Sequence, residues 1–493
     1  MGEFMKLDNS IEKIFEKINE MNGKSSDIVT RVIEKNHNRI GYVYLESVSS
    51  DDKISNFLNK AIVNMDKKKP FNSFYNLLKN NIFNSKVKSC ETYEDIFYHL
   101  ASGFTAIFID DSDKAIVVET RMILDRGVTE STSETIVRGP KDSFTENHNK
   151  NIGLIRKRIK DHNLWFEEVK LGRRTKTKVS VAYLKDIVPN YKVKKILDDL
   201  KQIDIDAVID TGYIRELLEK NQKSLFPKVI STERPDLTCT SLLNGKIVIL
   251  VENSPFVIIL PAVLTDFFHS PEDNYQKPFN VSFSRIVRAI CFFLALFTPA
   301  LYIALMTFNQ EIIPDQLLIS VATQRDGVPF PTAIEVLIFV LTFEILREAD
   351  IHAPSFSGGA MNIVGALILG DAAVAAGIVS PIVVIVVAIT SICELVFYDV
   401  DVIDAIREWR LLFILAATFM GLIGFVAMFI IFVAKLSSME CLGTPYLTPF
   451  SPLNIRSLKD SLIRVSRKNL KERPQYLTKN LKRLDDNYEE SNS

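Results

Sequence analysis

From Ile286 to Ala434 the chain stays apolar for about 150 residues, which a water-soluble core does not sustain without longer polar interruptions. The block opens with IVRAICFFLALFTPALYIALM, starting at Ile286, and closes with LLFILAATFMGLIGFVAMFIIFVA, starting at Leu411. Each run is long enough to cross a hydrocarbon layer about 30 Å thick as a helix. Three more apolar segments lie between them, and these carry charges. The pattern predicts a membrane protein whose function sits in this block.

The rest of the chain has a different character. Residues 1–280 are polar and globular in composition, and the whole carries a formal net charge of −1, which selects no nucleic-acid partner. The cysteines, Cys90, Cys239, Cys291, Cys393 and Cys441, are scattered and odd in number, without a CxxC pair. Neither they nor the histidines show the spacing of a disulfide framework or a metal site, so no metal or cofactor is expected. The first thirty residues have no uninterrupted apolar region of the kind a signal peptide needs, so the N-terminal region is expected to stay in the cytoplasm.

Residues 1–90 read as a polar, partly helical extension, with amphipathic runs at Ile11–Ile18 and Phe57–Val63, a loop at KKKP (67–70), and partial disorder over the first forty. Residues 91–150 read as a first α/β subdomain. There a helix ends at Gly103, a hairpin joins FTAIFID (104–110) to AIVVETR (115–121), a Ser/Thr-rich loop runs to about 137, and a helix covers Phe144–Ile159. Residues 151–280 hold a second α/β subdomain and the juxtamembrane segment. Its strands are WFEEVKLG (165–172), VSVAYL (179–184) and DAVID (206–210). Its helices are Tyr191–Ile203 and 211–220, the latter with Thr211 as N-cap, and GKIVILVENSPFVIILP (245–261) supplies two more strands joined at ENSP. A membrane domain, 281–440, and a basic cytoplasmic tail, 441–493, complete the chain. The expected fold class is therefore α+β with a membrane part: a cytoplasmic N-terminal region of two α/β subdomains, then a polytopic α-helical membrane domain and a basic C-terminal tail.

In the membrane block the expected segments are 286–306, 332–347, 361–377, 380–398 and 411–434, with a break at Gly377–Pro381 and an interfacial or re-entrant helix in the loop 309–331. That loop has Arg325 beside Glu311, Asp315 and Asp326, and reads as external. The tail from Arg456 to Arg483 holds ten Lys or Arg against Asp460 and Glu472, and reads as cytoplasmic. Both ends on one side require an even number of crossings. Four are inferred, with 361–377 re-entrant or only half crossing, and Arg407 and Arg410 left outside against the charge rule.

No Walker A loop, GxSxG elbow, GxGxxG or HExxH is present, so an enzyme is not expected. The informative residues are carboxylates at membrane depth, since each must face a partner, a protein interior or water. Glu335 and Glu344 lie in one segment, Asp371 in a run of small residues, and Glu394 in the next helix. Glu344, Arg347 and Glu348 share one helix face. Two roles compete for these acids: an ion pathway with gating, or a structural one, as charge pairs that hold helices together or as residues close to the membrane interface. The pathway residues named are Asp371, Glu335, Glu344 and Glu394, with a small-residue face at Gly365 and Gly370; Arg347 and Glu348 are assigned to helix pairing. Small residues spaced by four through 366–377 permit close helix approach. The basic runs RKRIK (156–160) and LGRRTK (171–176) suit a solvated face, anionic lipid or a subunit contact.

Twelve stretches in order carry a resemblance, among them ETIVRGPKDSFTEN (134–147), NIGLIRKRIKD (151–161), QIDIDAVIDTGYI (202–214), ERPDLT (233–238), VENSPFVIILP (251–261), EILREA (344–349), GALILGDAAVAAGIVSP (365–381) and YLTPFSP (446–452). On these the chain resembles the A subunit of the bacterial spore germinant receptor, the GerA family, from about 95 to 453. The resemblance implies a multi-pass subunit of the spore inner membrane with a soluble region of two α/β subdomains. It also implies a transporter-like B subunit and a C-subunit lipoprotein as partners, and a ring-like homo-oligomer enclosing a nutrient-gated ion conduit that triggers germination. The joining segment YDVDVIDAIREWR (398–410) is more acidic than the family pattern and leaves ion selectivity open. The rival readings are an amino-acid or solute transporter, which would need two matched broken helices in inverted halves, and a structural scaffold for partner subunits.

Overall fold

The computed structural model describes residues 5–23, 25–35, 38–56, 86–110, 112–122, 134–219, 224–352 and 369–483. The chain divides into two compact units: Met1–Gln222 with Val229–Pro261 and Leu470–Ser493, and Lys223–Lys228 with Ala262–Asn469.

The first unit is built on two antiparallel five-stranded sheets. The first contains β1 (Ile28–Lys35), β2 (Asn38–Leu45), β3 (Val87–Cys90), β4 (Phe104–Ile109) and β5 (Ala115–Glu119), in the order β1-β2-β4-β5-β3. The expected hairpin is β4–β5, paired from Phe104↔Glu119 to Ile107↔Ile116. Its strands are mostly apolar, Thr105 and the terminal Glu119 apart, because both faces are covered. Helices α1 (Ile11–Met21) and α2 (Tyr93–Ala101) bury Ile11, Ile14, Ile18, Phe97 and Leu100 in the core on one side, and Ile40, Ile107 and Ile116 fill the other. Thr92 caps α2 by accepting from the Asp95 amide at 3.3 Å. The residues read as an extension are thus part of this sheet, since β1 and β2 carry the alternating β-branched and aromatic residues that a pleated surface favours. The runs at 57–63 and 67–70, and 123–133 of the Ser/Thr loop, lie outside the described residues.

The second sheet contains β6 (Leu164–Leu171), β7 (Thr177–Leu184), β8 (Ile230–Thr232), β9 (Ile247–Val251) and β10 (Val257–Leu260), in the order β6-β7-β9-β10-β8. Around it lie α3 (His148–Arg158), α4 (Asn190–Lys201), α5 (Thr211–Glu219) and α6 (Pro235–Leu243). Two local expectations change. DAVID is not a strand: Val208 bonds the Thr175 and Thr177 hydroxyls, at 3.1 and 2.6 Å, so the segment is tied to side chains at the β6–β7 turn instead of joining a ladder. Thr211 does not cap α5, because its hydroxyl donates to the Phe256 carbonyl, while Asp210 accepts from the Gly212 amide at 3.1 Å.

The basic runs are largely engaged within the unit. Arg156 is buried and forks onto Asp27 at 3.0 and 2.9 Å, joining α3 to the residues before β1. Burial alone would push the Asp27 carboxyl up, but the Arg156 guanidinium and the Ser25 and Ser47 hydroxyls outweigh it and hold it below its usual range. Arg158 pairs with Asp142, Arg173 with Asp204 and Arg174 with Asp206. The tail also folds back onto this unit. Leu477 is buried, the Lys479 amide donates to the Ile187 carbonyl at 2.9 Å, and Lys192 donates to the Tyr476 carbonyl at 2.9 Å.

Glu134 and ERPDLT meet in the interior of this unit. The Glu134 carboxylate accepts from the Thr232 hydroxyl at 2.6 Å and the Glu233 amide at 3.2 Å. Burial pushes its pKa up to about 7 despite these bonds and the nearby Arg234. A carboxyl raised in the folded state favours folding below its unfolded value, about 4.3, and that contribution is lost as pH rises through 7. Glu134→Gln keeps the acceptor and removes the buried charge. It is expected to stabilise the chain by about 2–3 kcal/mol at pH 8 and to do little at pH 4. Thermal unfolding of the full chain in detergent at both values checks this, and an equal gain at both would show that charge is not the cause.

The second unit is helical. Its helices are α7 (Pro278–Thr307), α8 (Asp315–Gln324), α9 (Thr332–His352), α10 (Pro381–Glu394) and α11 (Val400–Ser438), with a helical stretch at 369–375. Among the described residues α7 and α11 have the length and apolar composition to cross a membrane, with mean hydropathies of 2.3 and 2.5. Yet α11 is not one rod. Gly421 has φ 57° and ψ −136°, and the ring centroids of Trp409 and Phe432 are 4.9 Å apart, where a straight helix would separate them by about 35 Å. Phe413 and Phe425 likewise meet at 5.4 Å. The run at 411–434, expected as a plain span, is therefore a helical hairpin that turns at Gly421. Its limbs close on Phe297 of α7, whose ring lies 4.9 Å from Phe413 and 5.7 Å from Phe429.

The break at Gly377–Pro381 is a second reversal. The Ile378 amide bonds the Ala373 carbonyl and the Gly377 amide the Val374 carbonyl, the glycine-ended helix stop, with Gly377 at φ 64°. Pro381 then starts α10. A Cβ on Gly370 would meet Val384 at 3.5 Å, so the arm at 369–375 folds back along α10.

Candidate functional site

Charged side chains of the helical unit gather in two places. The larger group joins three helices. Glu344 and Arg347 come from α9, Glu394 from the end of α10, and Asp404, Arg407 and Arg410 from the first limb of α11, where they recur every third residue. Arg410 binds Glu344 at 2.7 Å and also Glu394. Arg407 binds Glu344, and Asp404 at 2.9 Å. Arg347 approaches Glu394 at 3.6 Å and Asp404 at 3.9 Å. Three carboxylates thus face three guanidinium groups, and the group is formally neutral. Burial is graded, from Arg410 with 4% of its side chain exposed to Asp404 with 50%. Arginine suits the centre because its planar fork can serve two carboxylates at once.

The smaller group surrounds Glu335, which is fully buried. One carboxylate oxygen accepts from the Ser380 amide at 3.1 Å and the Ser380 hydroxyl at 2.8 Å, so it caps the start of α10. The other lies 3.3 Å from Arg325.

The acids singled out in the sequence therefore divide. Glu344 and Glu394 come together with Arg347. Glu335 sits apart, against Arg325 and Ser380. Glu348 is not in either group: it lies 3.2 Å from His352 on its own helix. Asp371 is exposed and has no hydrogen bond or ion pair among the described residues. Gly370 is buried against α10, and Gly365 lies outside the described residues. Sequence reasoning missed Arg325, Ser380, Asp404, Arg407 and Arg410 as partners, having read Arg407 and Arg410 as loop charges. The regular spacing of Asp404, Arg407 and Arg410 along one helix face was the signal available.

The arrangement can hold helices in one register, and it can release them only if several charges change partners together. An acid and a base exchanging partners on adjacent helices give a two-state element, with one charge-balanced arrangement traded for another.

The family model described as Bacillus/Clostridium GerA spore germination protein matches residues 16–476. Spore germination protein KA of Bacillus subtilis (strain 168) is 36% identical over 461 residues, covering 93% of this chain and 85% of that protein. Spore germination protein GerLA of Bacillus cereus is 33% identical over 97% of each chain. A crystal structure of the N-terminal domain of the A subunit of the Bacillus megaterium spore germinant receptor GerK3 is 29% identical, covering 53% of this chain and 99% of that one, with a TM-score of 0.42.

Proposed function

Because this chain belongs to the Bacillus/Clostridium GerA family of spore germination proteins, we propose that it is the A subunit of a germinant receptor, and that copies of it assemble into a nutrient-gated ion conduit in the spore inner membrane. A transporter-like B subunit and a C-subunit lipoprotein are its proposed partners. Asp371 is the observation that carries the conduit reading. It is exposed, and unpaired among the described residues, on a hairpin arm of small residues within an apolar unit. A bare carboxylate facing lipid costs about 3 kcal/mol or more, so its surroundings in the assembly are water or another copy of the chain. Small residues at 370–377 allow that close approach.

The charge network supplies the gate in this reading. Arg410 lies about 16 Å from the Gly421 turn, and Glu344 and Glu394 about 18–20 Å from the starts of their helices, near the middle of a 30 Å hydrocarbon layer. There the paired charges hold the resting register. The tail at 470–483 packs on the same unit that the chain leaves at Pro261. This supports an even number of crossings with the N- and C-terminal regions both cytoplasmic. The transporter reading is less well supported, because both helix breaks turn at the same end of the unit instead of in inverted halves.

Asp371→Asn tests the conduit. In spores carrying this chain as A subunit and exposed to an equimolar mixture of amino acids, cation release is expected to slow about tenfold or more, at unchanged protein level. Release at the normal rate would remove Asp371 from the pathway, and normal release with every carboxylate of the network also neutralised would favour a scaffold.

A further inference from the structure

The two helix reversals share one holder. The segment 307–331, between α7 and α9, touches both. At the Gly421 turn, the Asn309 carboxamide oxygen accepts from the Leu422 amide at 3.3 Å, one of the amides a helix start leaves without an internal partner. The Phe308 side chain lies directly against Gly421: a Cβ there would be 2.6 Å from the Phe308 Cβ. At the 377–380 turn, Arg325 pairs with Glu335, and Glu335 in turn holds the Ser380 amide and hydroxyl. The Gly327 carbonyl lies on the same turn, 3.9 Å from where a Cβ on Gly377 would be.

We propose that residues 307–331 are a clasp that holds both hairpin tips closed, so that the resting state is set at this end of the helical unit as well as by the charge network. The Gly421 tip exposes Phe419, Met420 and Ile423, and the 377–380 tip has only the local backbone bonds of its glycine stop. The Gly421 tip takes one polar contact from the clasp directly, from Asn309, and the 377–380 tip is held through Glu335 of α9, which Arg325 of the clasp pairs. Freeing 307–331 releases both tips together, because Asn309 and Arg325 are on the one segment. A partner acting on this segment could therefore move both hairpins at once. This inference rests on the reading of the helical unit as the part that moves.

The test is hydrogen–deuterium exchange on the full chain in lipid nanodiscs, followed by mass spectrometry of peptides covering 376–382 and 418–424. Asn309→Ala should speed exchange of the second peptide at least tenfold and leave the first unchanged. Arg325→Gln should do the converse, and the paired variant Arg325→Gln with Glu335→Gln, which leaves no unbalanced buried charge, guards against loss of the fold. Spores carrying Asn309→Ala with the paired variant should release cations without added amino acids. Protection of both peptides in all variants would overturn the clasp. Faster exchange without spontaneous release would overturn its part in gating, and would leave the conduit reading to stand or fall on Asp371→Asn.

Discussion

Gly421→Ala is expected to destabilise the helical unit by about 3 kcal/mol or more, enough to deplete the folded chain. Two costs act together. At φ 57° and ψ −136° the backbone is in a region that glycine enters freely and other residues do not. The added methyl would also lie 2.6 Å from the Phe308 Cβ and 2.7 Å from its Cγ, at the base of the side chain, where a rotamer change gives little relief. Phe308→Gly combined with Gly421→Ala should recover only the steric part, since an alanine at 308 would keep the Cβ at 2.6 Å. Gly370→Ala is the control, because its new Cβ would make an ordinary contact with Val384 at 3.5 Å. Thermal unfolding in detergent separates the cases. A straight helix through 400–438 would instead tolerate Gly421→Ala, or gain from it, since alanine is the better helix former.

Arg410→Met is expected to cost about 3–5 kcal/mol, because it leaves one uncompensated negative charge in the interior, with Glu344 reduced to Arg407 and Glu394 to Arg347 at 3.6 Å. Removing one carboxylate with it, as Arg410→Met with Glu394→Gln, leaves Glu344 and Asp404 against Arg347 and Arg407, a balanced group, and should restore most of that stability. Arg410→Lys should fall between, as a single ammonium lacks the planar fork that places one nitrogen on each carboxylate. The measurement is the unfolding midpoint of each variant in the same detergent. Equal losses for the single and double variants would mean that Arg410 acts by packing and not by charge.

These two sites also mark where the sequence stopped being legible. The β4–β5 and β9–β10 hairpins were readable, because turn residues interrupt β-branched runs, and the Gly377–Pro381 stop was readable because glycine ends one helix and proline starts the next. The reversal at Gly421 was not. In a run that is apolar on every face there is no periodicity to lose, so folding back leaves the hydropathy unchanged, and a glycine there looks like any packing glycine. The strands β1 and β2 were diluted by the Lys- and Asn-rich residues around them. For the site, the acids stood out against their apolar surroundings, whereas Arg407 and Arg410 lie where an acidic joining segment meets the apolar run and passed for loop charges. Their pairing with Glu344 and Glu394 depends on the hairpin bringing the first limb of α11 beside α9 and α10, which no local pattern encodes.

The segment LGRRTK (171–176) teaches the opposite caution. Its arginines read as a solvated face, an anionic-lipid surface or a subunit contact; they are exposed, yet Arg173 and Arg174 each have an aspartate partner some thirty residues on, at Asp204 and Asp206. Such exposed pairs contribute about 0–1 kcal/mol each, so they set local geometry more than stability.

An image of the chain assembled in a lipid bilayer, viewed along the bilayer normal, tests the conduit most directly. The account predicts a closed ring of copies with the 369–375 arms turned inward and Asp371 on a central aqueous opening. Isolated copies, or a ring with Asp371 facing lipid and no opening on its axis, would contradict it.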